Sequence, residues 1–294
     1  MNIALYGTFL ANGFVSFMTT LLDELQAMNA NIWIYKDLDK LLNKQKISNE
    51  GTAFSKSEEL PNDLDYMICI GGDGTILSSI PFIRDWQVPV IGINSGRLGF
   101  LANIGKEEIT KALQAIVNKD FEIEEKSLLT INSDIAIDNF NEVNIALNEV
   151  TVQKADSNII AVDTLINDQY LNTYWTDGLI VSTPTGSTAY SLSIGGPIIE
   201  PNTEAILIAP IASHNLTVRP LVVKDSSVIK LQARSRSGKF LLTTDNRSYT
   251  LENQCYSFTV KKSEHKLKMV KFPFNNYFDT LRSKLMWGAD QRNW

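Results

Sequence analysis

Cysteine and histidine are scarce in this 294-residue chain, at two each, and that scarcity closes off several chemistries. Cys69 and Cys255 stand alone, without the paired spacing of a zinc site or the density of a disulfide framework. They read as free, buried thiols. His214, in HNLTVRP, has no acidic partner in its motif and gives little reason to assign a base, so it and Arg219 read as structural or interface residues. Long apolar runs are missing too, none reaching 18 residues, and MNIALYGTFLANGF carries no basic segment ahead of its apolar residues. Neither a membrane span nor a secretory leader is expected, and the chain reads as cytoplasmic. Positive charge is in deficit, with 27 Lys+Arg against 33 Asp+Glu and a net charge of -6, which argues against broad nucleic-acid binding. An anionic ligand must therefore be met locally, by backbone N–H groups, a metal ion or a few placed cations.

What is present is a globular composition, 44% hydrophobic and 20% charged, sufficient for one large domain or two modest ones. Two are expected. Short apolar runs (NIALYGTF, NIWIYK, DYMICIGG, VPVIGIN) alternate with helical spacing at Met18, Leu21, Leu22, Leu25 and Met28, the pattern of a parallel α/β layer. KEEITKALQAIVNKD adds a helix with Ile109, Leu113 and Ile116 on one face and acids near its start, where the helix dipole favours them. The stretch from Asn43 to Ser57 reads as a mobile surface loop. After about residue 125 the rhythm changes to closely spaced β segments, with hairpin turns predicted at Asn167-Asp168, Arg236-Ser237-Gly238 and Asp245-Asn246. The expected division is an α/β phosphate-binding domain over 1–125, an all-β sandwich over 126–271, and a 272–294 segment with helical spacing at Phe278, Leu281 and Leu285 that packs back on the first domain.

YMICIGGDGTILSSI places glycines where a buried strand would give way to a helix, at the carboxyl edge of a parallel sheet, which is where open α/β proteins bind ligands. Gly71, Gly72 and Gly74 can take positive φ and offer unobstructed N–H groups, and the helix adds its positive end, so the turn reads as a phosphate cradle. It matches neither G-x-x-x-x-G-K-[ST] nor G-x-G-x-x-G. Asp73 is the odd member, since a carboxylate repels phosphate unless something lies between them. A Mg2+ ion bridging the two, an attacking alcohol whose proton the carboxylate accepts, or a tight turn capped by its own aspartate are the readings left open.

WTDGLIVSTPTGSTAYSLSIGGPII sets six serine and threonine residues between Thr183 and Ser193, with glycines at 186, 195 and 196. Small hydroxyls and open backbone suit a flat polar ligand such as a base and its ribose. In ALNEV, Asn148 and Glu149 are adjacent in an otherwise apolar strand, so at least one faces inward, where an unpaired polar group costs about 1–3 kcal/mol. Exposure on an edge strand is the alternative.

Together GGDGT (71–75), NSGRLGFL (94–101), NE (148–149), TDGLIVSTPTGSTAYSLSIGGPI (176–198) and HNLTVRPLV (214–222) resemble the NAD kinase family, in order and over nearly the whole chain. TPTGSTAYSLS is the specific segment; GGDGT alone also occurs in diacylglycerol and sphingosine kinases and in phosphofructokinase relatives. The resemblance implies a Rossmann-like N-terminal α/β domain of the NAD kinase and diacylglycerol kinase type, a C-terminal all-β sandwich, and the dinucleotide between them, often against a neighbouring subunit in a dimer or tetramer. It implies transfer of the γ-phosphoryl group of ATP, with Mg2+ or another divalent cation, to the 2′-hydroxyl of the adenosine ribose of NAD.

By the same resemblance Asp73 orients or deprotonates that hydroxyl, while Gly71, Gly72, Gly74 and Thr75 hold phosphates. Asn148 and Thr188 bond the adenine, Glu149 the ribose hydroxyls, and Asp177, Ala189, Tyr190 and Ser193 the nicotinamide half. Two departures stand out: Trp175 replaces the arginine many members carry two residues before Asp177, and Asp245 is followed by Asn-Arg where Asp-Gly is common. The rival readings are a lipid kinase of the same superfamily and a non-catalytic NAD sensor. Whether polyphosphate replaces ATP as donor is left open.

Overall fold

The computed structural model describes residues 1–9, 14–83, 87–96, 99–137 and 144–288. Arg97 and Leu98, inside the NSGRLGFL motif, lie outside them. The chain divides into two compact units, one formed by Met1–Glu124 with the chain from Lys268, the other by Glu125–Leu267.

The first unit runs β1 (Asn2–Tyr6), α1 (Phe14–Ala27), β2 (Asn31–Tyr35), α2 (Lys36–Lys44), β3 (Thr52–Phe54), β4 (Tyr66–Gly71), α3 (Asp73–Ser79), β5 (Val90–Asn94) and α4 (Ile109–Asn118). Its strands form a parallel sheet in the order β5-β4-β1-β2-β3. The near-continuous apolar runs of β1, β4 and β5 are buried, as parallel strands covered by helices require. Phe17, Met18, Leu21, Leu22 and Leu25 line the buried stripe of α1, and Ile109, Leu113 and Ile116 that of α4, all in one core with Ile3, Leu5, Ile68 and Ile91. Met28 falls beyond the end of α1 and is only partly buried. The stretch from Asn43 to Ser57 is not a plain loop: β3 pairs in parallel with β2, and Ile47 and Phe54 are buried.

The second unit contains most of β6 (Glu122–Ser133), β7 (Ile145–Ala146), β8 (Glu149–Lys154), β9 (Ile160–Ile166), β10 (Gln169–Thr176), β11 (Gly178–Ser182), the short α5 (Tyr190–Ser193), β12 (Ala205–Ile211), β13 (Leu221–Lys224), β14 (Ile229–Ser235), β15 (Lys239–Thr244), β16 (Arg247–Glu252) and most of β17 (Cys255–Lys271). One sheet runs β10-β9-β14-β17, with β6 also on β17; the other is antiparallel in the order β13-β12-β11-β8-β15-β16. Val150, Val152, Leu179, Val181 and Phe240 from one sheet and Val162, Leu231, Ala233 and Phe258 from the other share a single core, which is the alternation expected of a sandwich. Helix α6 (Tyr277–Leu285) closes the described chain; Leu281 is buried, whereas Phe278 is exposed.

Asn167 and Asp168, both left-handed, turn the β9–β10 hairpin, and Asp245, also left-handed, turns β15–β16. Arg236-Ser237-Gly238 is not a hairpin turn. It links β14 of one sheet to β15 of the other, with Gly238 supplying a positive φ at the corner. Of the two thiols, Cys69 is fully buried, while Cys255 is only half-buried.

Candidate functional site

The glycine turn follows β4 directly. Gly71 ends the strand, Gly72 caps the helix with extended backbone, and Asp73 begins α3. Gly72 and Gly74 therefore do not use the left-handed freedom that the sequence suggested for them: Gly72 has φ −106° and Gly74 is helical. What distinguishes them is space, since a Cβ at either position would meet no atom within 4 Å. Gly71 is different. A Cβ there would stand 2.0 Å from Thr75 Oγ1, so Thr75 covers Gly71 and that position is closed by the turn itself.

Asp73 does not cap its own turn. Its carboxylate reaches the segment after β5, where Oδ2 accepts from the Phe100 N–H (2.9 Å) and Oδ1 from those of Leu101 (3.0 Å) and Ala102 (2.9 Å). The approach is close enough that a Cβ on Gly99 would lie 1.9 Å from Oδ1. Gly99 N–H in turn donates to the Ala102 carbonyl, and Ser95 N–H to that of Gly71, so described residues of the two motifs are hydrogen-bonded together.

The second cluster surrounds the start of β8. Asp245 repeats the arrangement of Asp73: Oδ2 accepts from Leu147 N–H (2.9 Å), and Oδ1 from Asn148 N–H (2.7 Å) and Glu149 N–H (3.2 Å). The carbonyls of the same three residues are taken as well. Thr183 Oγ1 bonds that of Leu147, Ser182 Oγ and Thr183 N–H that of Asn148, and Asp245 N–H that of Glu149. A Cβ on Gly186 would lie 2.1 Å from the Asn148 carbonyl oxygen, so TPTG packs directly on the NE pair.

Both Asn148 and Glu149 are buried, so the edge-strand alternative does not hold. The Tyr190 N–H bonds the Glu149 carboxyl, yet Glu149 Oε2 is buried with no partner among the described residues. Burial first, and the Asp245 carboxylate second, push the Glu149 carboxyl up to about 8, with the Tyr190 N–H opposing. Burial also raises Asp245, against the pull of its backbone donors and of Arg247, whose guanidinium is 3.9 Å away.

Part of the hydroxyl-rich segment serves the fold, while Thr185 Oγ1 and Ser191 Oγ are buried with no partner among the described residues. Besides Ser182 and Thr183, Ser187 Oγ donates to the Pro184 carbonyl and accepts from Ile199 N–H, and Thr188 Oγ1 donates to the Thr185 carbonyl. Small hydroxyls are needed there to satisfy a tightly wound buried backbone. Tyr190 and Ser193 of α5 are exposed, and Ala189, between the 185–188 turn and α5, is half-buried. Asp177, between β10 and β11, pairs with Lys154 at 2.7 Å. Trp175 is exposed on β10.

A family model of the ATP-NAD kinase N-terminal domain matches residues 17–121, and one of the ATP-NAD kinase C-terminal domain matches 147–272. The chain belongs to the NAD kinase family. Over the full length of both proteins it is 44% identical to an NAD kinase of Christiangramia forsetii and 42% identical to one of Flavobacterium johnsoniae. Among solved structures, an NAD kinase from Archaeoglobus fulgidus in complex with ATP matches with TM-score 0.75 and 26% identity, over 97% of this chain and 99% of that one. Yeast NADH kinase complexed with NADH has the same fold, with TM-score 0.88 and 22% identity over 99% of this chain and 89% of that one.

Within this NAD kinase fold, sequence reasoning missed two residues that shape the clusters. Gly99 sits in a motif read only for resemblance, and Asp245 was read as a turn and as a departure from the family pattern, without its backbone partners. Among the described residues no helix is long and apolar enough to cross a membrane.

Proposed function

We propose that the chain transfers the γ-phosphoryl group of ATP to the 2′-hydroxyl of the adenosine ribose of NAD, giving NADP. The observation that carries the chemistry is the state of Asp73. A carboxylate has about four acceptor positions. Among the described residues, two on Oδ1 and one on Oδ2 are filled by backbone N–H groups, which leaves one on Oδ2. In this reading the 2′-hydroxyl donates to that position. As its oxygen bonds to the γ-phosphorus, the bond from that phosphorus to the bridging oxygen of ADP breaks, and the hydroxyl proton passes to Oδ2. The transition state is loose, so a fixed acceptor matters more than a strong base.

The open space over Gly72 and Gly74 supports their N–H groups as phosphate donors, while Gly71 and Thr75, packed on each other, hold the shape of the turn. Mg2+ enters as part of the ATP substrate. An ion of this kind is held by ATP phosphate oxygens together with few protein carboxylates, and bound there it would neutralise phosphate charge; among the described residues no group of three or more His, Cys, Asp and Glu side chains gathers.

For NAD, the orphaned Glu149 Oε2 supports a bond to a ribose hydroxyl, and Asn148, fixed beside it, and Thr188 are assigned to adenine. The nicotinamide half is assigned to Ala189, Tyr190, Ser193 and Asp177, the last acting with Lys154 on its carboxylate. A dimer or tetramer belongs to the same proposal, supported by Tyr170, Leu171 and Trp175, all exposed on β10 at a sheet edge. The test is a coupled assay with NAD, ATP and Mg2+, reading NADP with an NADP-specific dehydrogenase beside wells containing polyphosphate or diacylglycerol micelles. NADP formed with ATP is expected; NAD binding without NADP would leave the sensor reading instead.

A further inference from the structure

We propose that Asp245 is a positioning residue for dinucleotide recognition: from the β15–β16 turn it fixes the main chain of Leu147, Asn148 and Glu149 and places its negative charge beside the Glu149 carboxyl. The inference rests on the ribose and adenine roles proposed above for Glu149 and Asn148.

Asp245 is buried to 8% exposure and touches three consecutive N–H groups at the point where β8 begins. The side chains it governs are the two buried polar ones there, and Glu149 Oε2 has no protein partner. A carboxylate spanning three residues controls where those side chains point more tightly than a single ladder bond does, because all three peptide planes answer to one rigid acceptor.

The charge has a second effect. The groups facing Glu149 are the Asp245 carboxylate from the turn, the Tyr190 N–H from α5 and, beyond Asp245, the Arg247 guanidinium of β16. Arg247 Nη2 is also bonded to the Ile145 carbonyl at 2.5 Å, so it is shared rather than committed to Asp245. Held on the Glu149 N–H at 3.2 Å, the Asp245 carboxylate disfavours the ionised form of the same residue's side chain. In the free protein Glu149 carries its proton up to about pH 8. Two ribose hydroxyls are best met by an ionised carboxylate, so NAD binding releases that proton and affinity climbs with pH until about 8.

The test is calorimetric titration of NAD alone, from pH 6 to 9, on wild type and Asp245→Asn. Asparagine keeps one acceptor oxygen but points an amide at N–H donors. The expected result is a dissociation constant for NAD that is raised about tenfold or more on the plateau of the pH profile, with that plateau reached about one unit lower. A role confined to packing would weaken binding without moving the plateau. An unchanged constant and an unchanged profile overturn the proposal, as does weakening with the plateau left in place. If Asp245→Asn does not fold, carboxyl-13C aspartate spectra of wild type and Glu149→Gln decide. One aspartate signal with an inflection near pH 8, present in wild type and lost in the variant, supports the coupling, and its absence from wild type overturns it. A wild type that binds no NAD removes the ribose reading and this inference together. One that binds and turns over while Asp245→Asn matches it removes this inference alone.

Discussion

Gly99 and Asp73 approach so closely that the glycine's missing Cβ is what lets the carboxylate reach its three N–H donors. Gly99→Ala must therefore push Asp73 aside or open the 99–102 segment. Displacing a reacting group by about 1 Å costs on the order of 100-fold in rate. Steady-state kinetics should show kcat reduced on that scale with the KM for NAD little changed. Asp73→Asn, which removes the proton acceptor, should lose about 10²–10⁴-fold in turnover while still binding NAD. Near-normal turnover by that variant would take Asp73 out of the reaction.

Glu149 makes the free protein less stable as the pH rises. Its carboxyl is pushed from an ordinary 4.5 to about 8 in the fold, so across that window the folded chain keeps a proton that the unfolded chain has released. Stability contributed at low pH is lost progressively through the window and levels off above it. Glu149→Gln stays neutral and escapes the loss. Urea unfolding at pH 5 and pH 8 should show the variant gaining on wild type, by at most roughly a few kcal/mol. Parallel stabilities at the two pH values would rule out the buried, protonated state.

Gly186→Ala sets a Cβ into the Asn148 carbonyl at 2.1 Å, against backbone that cannot swing away. A loss of about 1–3 kcal/mol in unfolding free energy is expected. Because the displaced carbonyl belongs to Asn148, the KM for NAD should rise more than the KM for ATP. Equal changes in both would mean that the contact serves stability only.

The α/β and β-sandwich classes were legible because strand alternation, helical spacing and turn residues are local signals. The Asn167-Asp168 hairpin needed nothing more. Arg236-Ser237-Gly238 has equally good turn chemistry, yet whether the next strand stays in the same sheet depends on pairing partners far along the chain. The candidate site divides the same way. GGDGT and the NE pair could be picked out as polar or glycine-rich insertions among apolar residues. The partners of Asp73 could not, since Phe100, Leu101 and Ala102 contribute only main chain. The partners of Asp245 were hidden for the same reason: it reaches donors 96 to 98 residues away in sequence, and nothing in Leu147, Asn148 or Glu149 records that an aspartate is bonded to their amides. The serines and threonines could not be sorted from spelling alone, because Ser187 staples buried backbone while Thr185 Oγ1 and Ser191 Oγ are buried with no partner among the described residues.

Both aspartates grip mainly peptide groups, and this sets what mutation can reach. Leu101 or Ala102 can change size or polarity with the clamp on Asp73 still in place, provided the new side chain fits the core. Proline is the exception among the coded residues, because it deletes an N–H. The same holds for residues 147 to 149 beneath Asp245. Drift in the flanking letters is thus tolerated wherever packing permits, and the geometry at each carboxylate is inherited through the shape of the chain rather than through its spelling.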